Sequence, residues 1–256
     1  MQHSQKCQEA LVEVQAALRA DARGIDPHKA AERAHFMKAT MPMFGLGVPA
    51  QRKLLRRGYS FSHLPFEVQL PLWAHIWSEA THHETRMQAA FFIEKPPAGT
   101  DLVWLWGAVK DWVSSVNCWD QSDTLSNLYA RINEAHPEQV VPVLRHWNGS
   151  DNPWERRQSL VALLCYSRFR RSFPEQALVF ELVEALLADP DYYVQKGLGW
   201  TLREAWHVWP EPVMALLDRH IVTLAPAAWQ AATEKLDPSV KQRLKAKRMA
   251  GRKAGR

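Results

Sequence analysis

"RQSLVALL" (157–164) decides how this chain folds, because three other stretches can be laid over it. They are "RMQAAFFI" (86–93), "DTLSNLYA" (123–130) and "KGLGWTLR" (196–203). Each opens on a charged residue and runs into small and apolar residues at helical spacing. The starts at Arg86, Asp123, Arg157 and Lys196 are 37, 34 and 39 residues apart. A period near 40 with two helices per unit is that of HEAT and armadillo arrays. The expected fold is all-α: a right-handed solenoid of tandem HEAT-like antiparallel helix pairs, with equivalent helices lining one concave surface.

The rest of the chain agrees with helices. "QEALVEVQAALRA" (8–20) and "LVFELVEALLAD" (178–189) repeat apolar residues at three and four. Asp26-Pro27, Thr100-Asp101 and Asn152-Pro153 place a capping side chain before a proline or at a first turn. "FEVQL" (66–70) is too short, and too embedded in helical pattern, to read as a strand. One domain is expected over residues 1–240.

Composition sets the bounds. The chain has 256 residues, 46% hydrophobic and 23% charged, as ordinary globular proteins do. Cys7, Cys118 and Cys165 are too scattered for a disulfide framework or a zinc site, and reduced thiols in the cytoplasm are expected. No signal peptide and no membrane span is evident. The net charge is +5, but residues 241–256 hold eight Lys/Arg and no acid; without those eight the remainder is −3. The basic character thus belongs to a tail, expected to be flexible. Twelve tryptophans are many for this length.

Residues in register across the repeats carry the functional reading. Asp123, Arg157 and Lys196 each have an indole one turn away: Trp119, Trp154 and Trp200. Trp119 and Asp123 share a helical face that is either a locally satisfied corner or points at a ligand. No GxSxG, Walker, GxGxxG or HExxH motif is present. His82 and His83 diverge on a helix and read as solvated. Cys118, with no histidine near it in sequence, reads as a small core residue. Carboxylate, indole and guanidinium groups suit cleavage of an N-glycosidic bond. A fixed carboxylate stabilises the positive sugar, and indole faces attract a cationic base. An arginine one repeat away would hold phosphate. "RKLLRR" (52–57), with Arg52 and Lys53, and "RFRR" (168–171) are candidate phosphate contacts or solvated faces.

"HFMKATMPMFGLGVPAQRKLLRR" (35–57), "CWDQSD" (118–123), "NPWERRQSLVALL" (152–164) and "YVQKGLGWTLREAW" (193–206) occur in the order seen in AlkD-like DNA alkylation repair proteins, and the chain resembles that family over roughly residues 8–240. The resemblance implies HEAT-like repeats that act as monomers on double-stranded DNA containing alkylated bases, with no metal and no organic cofactor. It also implies release of N3- and N7-alkylated purines without base flipping. Asp123 matches the essential carboxylate, Trp119 and Trp200 the aromatic pair at the lesion nucleotide, and Arg157 the arginine on the phosphate. Phe36 stands where many members have tyrosine, and Cys118 where a second tryptophan is frequent. Asp120 points elsewhere on the helix, as a local cap or ion-pair partner. A non-catalytic DNA-structure binder and a protein-interaction solenoid are the alternative readings.

Overall fold

The structure, a computed structural model, describes residues 2–254. Fourteen α-helices, two short 3₁₀ turns and no strand occur among the described residues. The chain divides into two compact units, Met1–Leu128 and Tyr129–Arg256, with the division falling inside one helix.

The first unit contains α1 (Gln2–Asp21), α2 (Pro27–Met37), α3 (Val48–Arg57), α4 (Phe66–Glu79), α5 (His83–Glu94), α6 (Leu102–Val109) and the start of α7 (Trp119–Ala135). Asp26 and Asp101 accept backbone N–H bonds at the starts of α2 and α6, so the capping signals hold. α1 and α3 pack on α4 and α5 around Val14, Leu18, Leu54, Trp73, Ile76 and Met87, all nearly inaccessible. Trp73 is edge-on to Tyr59 and Phe61 and stacks on Phe92. Trp77 and Trp112 stack with their ring centres 5.0 Å apart. α2 differs from its neighbours: none of its residues is buried.

The stretch between α2 and α3 has no regular structure, and one side chain gathers three of its consecutive N–H groups. Glu84, fully buried near the start of α5, accepts the N–H groups of Phe44 (3.0 Å), Gly45 (2.7 Å) and Leu46 (3.1 Å). Gly45 at φ +90° brings the backbone so close to Ala30 that a Cβ would lie 2.8 Å from that methyl carbon. This is the physical content of the "MPMFGLG" stretch.

The second unit contains the rest of α7, α8 (Pro137–Asn148), α9 (Pro153–Leu164), α10 (Gln176–Ala185), α11 (Tyr192–Trp206), α12 (Pro210–Arg219), α13 (Pro226–Ala232) and α14 (Pro238–Ala254). α9 packs on α8, α10 and α11, and α11 packs in turn on α12 and α13. The glycines of "KGLGW" explain how α11 approaches two partners closely. A Cβ at Gly197 would lie 2.9 Å from Arg157 Cγ on α9. One at Gly199 would strike the Ala228 carbonyl on α13 and lie 2.7 Å from Ala231 Cβ.

Of the basic tail, the residues up to Ala254 belong to α14. Leu244 is buried, and the Arg248 guanidinium, 6% exposed, donates to the carbonyls of Ile221 and Leu224 and lies 4.8 Å from the Trp229 ring centre. Charge counting misses this, because an arginine that closes two orphan carbonyls is counted as solvated.

Candidate functional site

In the first unit, the start of α7 carries Trp119 and Asp123. Because Trp119 opens the helix, Trp119, Asp123 and Asn127 recur every four residues along one face, and all three are half-buried. Asn127 Nδ2 lies 3.4 Å from Glu94 Oε1, and Glu94 Oε2 accepts Arg52 Nη1 at 2.6 Å. Arg52 lies over the Phe91 ring at 4.2 Å. Arg52 is therefore an internal partner of this face, whereas Lys53 is exposed. Sequence reasoning missed Glu94. Its signal was a lone acid ending the apolar run "AAFFIE".

The first turn of α7 is fixed by a polar cluster. His83, 1% exposed, bonds through Nε2 to Asp120 Oδ2 at 2.9 Å, and Asp120 Oδ1 accepts the Gln121 N–H. This corrects the reading of His83 as solvated. It is the buried partner that makes Asp120 a structural residue. His82 is not free in solvent either: it stacks on Phe44 with ring centres 4.2 Å apart. Cys118 also has a histidine near it after all, since ligand atoms of His83, Cys118 and Asp120 lie within 4.8 Å of one another. Sequence separation hid this, because α5 and α7 meet only in the fold.

This trio is the one group with metal-ligand chemistry among the described residues. Its hydrogen bonds already account for it. Gln121 Oε1 accepts the Asn117 N–H at 3.1 Å, which turns Gln121 Nε2 toward His83 Nδ1 at 3.3 Å. That arrangement makes Nδ1 an acceptor and leaves the ring proton on Nε2, aimed at Asp120. A metal on Nε2 would need that proton moved to Nδ1, where an amide donor stands. Cys118 is 1% exposed and donates to the Met37 carbonyl at 3.4 Å. Burial first, then the Asp120 charge, pushes its thiol well above the ordinary range, so it is no nucleophile. The same contact sets the end of α2 beside Cys118. Phe36, one residue before Met37, is 77% exposed.

In the second unit, α9 and α11 carry the other predicted residues. Trp154 stacks on Tyr193 with centres 5.0 Å apart. Arg157 is 4% exposed and donates from Nη1 to the Tyr193 carbonyl at 2.8 Å, threading past Gly197. It thus sits beneath the surface, and any phosphate has to draw it out. Lys196 is half-buried on α11. Trp200, half-buried, packs on Ala130, Val161 and Cys165. Its Nε1 donates to Glu204 Oε1 at 3.2 Å, its ring meets Tyr166 edge-on at 5.9 Å, and Arg203 lies 5.7 Å from its centre. Glu204 and Tyr166 escaped the sequence reading, since nothing local marks a turn that reaches back to α11.

The sequence model of the family described as DNA alkylation repair enzyme matches residues 14–236. The chain belongs to that family. This alkylation repair family member resembles several solved structures. One is described as a predicted DNA alkylation repair enzyme from Enterococcus faecalis. It is 20% identical, with a TM-score of 0.65, over 83% of this chain and 97% of that one. AlkD2 from Streptococcus mutans is 18% identical, with a TM-score of 0.53, over 82% and 98%. At these identities the likeness is one of fold, and it agrees with the all-helical architecture. No curated protein matches. Membership supports a role in DNA repair. No helix among the described residues is long and apolar enough to cross a membrane.

Proposed function

We propose that this alkylation repair family member is a DNA glycosylase. It hydrolyses the N-glycosidic bond of positively charged N3- and N7-alkylated purines in duplex DNA, acting as a monomer and without flipping the base. Asp123 stabilises the oxocarbenium-like sugar and orients the attacking water, while Trp119 and Trp200 flank the sugar and backbone. Arg157, Lys196, Lys53, Trp154 and Phe36 contact the duplex, and no metal or organic cofactor takes part. A leaving purine that is already cationic needs no general acid.

The observation that carries the reading is the α7 face. Trp119 and Asp123 lie one turn apart and half-buried, on a helix whose neighbouring carboxylate, Asp120, is committed to His83. A carboxylate at intermediate depth beside an indole has partial shielding from water and keeps a path to a large substrate. Release of 3-methyladenine and 7-methylguanine from methylated duplex DNA tests it. Asp123→Asn is expected to lower the single-turnover rate on the order of 100-fold or more, with DNA affinity kept. Equal release by both proteins would remove the role of Asp123.

The depth of Arg157, and its bond to the Tyr193 carbonyl, favour a second reading: a DNA-structure binder without chemistry. That reading expects tight binding to methylated duplex with no base released by the wild type.

A further inference from the structure

Between α9 and α10 lies the turn "CYSRFRRSF" (165–173), which the proposed reaction does not use. Its tip is Phe169, 83% exposed, with Tyr166 at 45% and Phe173 at 40%. Exposed rings are ordinary on loops that can fold back. This loop is pinned. Tyr166 adopts a left-handed conformation at φ 53°, ψ 53°, one that L residues seldom take. The Glu204 carboxylate accepts both the N–H of Ser167 (2.9 Å) and its hydroxyl (2.8 Å). Glu134 accepts the N–H groups of Arg171 (2.6 Å) and Ser172 (3.2 Å). Arg170 Nε returns to the Cys165 carbonyl at 3.0 Å. Phe169 N–H donates to the Tyr166 carbonyl at 2.9 Å. The ring is therefore held out in water by a framework anchored at both ends, at one of them by the buried Glu204.

The charges around it are sorted. Both carboxylates that touch the turn, Glu134 and Glu204, bond to its backbone, and Glu204 also takes the Trp200 indole N–H. The arginines beside the tip, Arg168 and Arg171, have exposed side chains, and Arg168 Nη2 lies 3.1 Å from His207 Nε2. A rigid aromatic tip with exposed arginines one residue before it and two after it fits a base face between phosphates better than it fits an apolar partner. Tyr166 also meets Trp200 edge-on, so the turn extends from an indole already assigned to DNA.

We propose that the 165–173 turn is a separate DNA contact. Phe169 stacks on a base at a site of weakened pairing or stacking, and Arg168 and Arg171 hold the flanking phosphates. The ligand class is duplex DNA with a local helical defect, preferred over fully paired duplex. The proposal rests on the reading that the protein binds DNA, and does not depend on the chemistry of Asp123.

The test uses the full chain and two labelled duplexes, one fully paired and one with an abasic-site analogue beside 2-aminopurine. Binding is followed by anisotropy across a salt series, with base release from methylated duplex measured in parallel. Phe169→Ala is expected to lose about tenfold affinity for the defect duplex and little for the paired one. Phe169→Trp keeps the preference and quenches the 2-aminopurine. Arg168→Gln with Arg171→Gln reduces the salt slope by about two. Unchanged affinity of Phe169→Ala for both duplexes overturns the proposal, as does Phe169-dependent binding to anionic vesicles in place of DNA. Phe169-dependent preference in a protein that releases no base sinks the glycosylase reading alone. A wild type that binds neither duplex sinks both.

Discussion

Asp120 and Asp123 are three residues apart on α7, and the polar cluster at the first turn of that helix holds Asp120. Asp120 is 14% exposed at the side chain and accepts from buried His83 and from the Gln121 N–H. Replacing it with alanine leaves a buried imidazole N–H without an acceptor. That change is expected to cost about 1–3 kcal/mol, read by urea unfolding, whereas Asp120→Asn keeps an acceptor and recovers most of the loss. Base release per folded molecule should survive Asp120→Asn and not Asp123→Asn. Release that depends on Asp120 as strongly as on Asp123 would show that the two carboxylates act together. The sequence showed the facing rule that groups Trp119 with Asp123, because helical spacing is local. It could not show that Asp120 had a buried partner, because His83 is supplied by another helix. For the same reason the solvated reading of His83 failed: burial of a polar side chain depends on what packs over it, and its own neighbours in sequence do not reveal that.

At the scale of elements, the caps were readable and the clamps were not. Asp26, Asp101 and Asn152 cap helices as their sequence context required, since a cap bonds two or three residues away. Glu84, Glu94 and Glu204 fix distant backbone or side chains, and from sequence each looked like one more surface acid on a helix. The glycines of α11 lie between these cases. "VQKGLGWTLRE" (194–204) is the most specific part of the family likeness, and the structure supplies a reason in the two opposed close approaches of its glycines. Gly199→Ala drives a methyl into the α13 backbone and is expected to destabilise by about 1–3 kcal/mol in thermal or urea unfolding. Gly197→Ala meets a flexible arginine side chain, so its cost should be smaller and should show in DNA affinity through Arg157. A larger stability loss at Gly197 than at Gly199 would mean that α9, rather than α13, is the unyielding neighbour.

For the molecule as a whole, the all-helical class was legible throughout and the end of the chain was not. The basic segment turns the net charge from negative to positive, yet Arg248 is engaged internally, bonding two carbonyls and covering Trp229. Arg248→Met should therefore lower stability by about 1–3 kcal/mol and leave the salt dependence of DNA binding unchanged. A fall in the salt slope by about one would place that guanidinium on phosphate instead. The tryptophans divide similarly between interior and surface. Five of the twelve, Trp73, Trp77, Trp106, Trp112 and Trp147, are buried, so the high count reflects packing as much as recognition. Of these, Trp77 and Trp112 are near-parallel, at 18° and 5.0 Å between centres. Two chromophores that close share their excitation, which gives residues 1–128 an ultraviolet signature of their own. The melting of that half can then be followed by its optical activity without attaching any label.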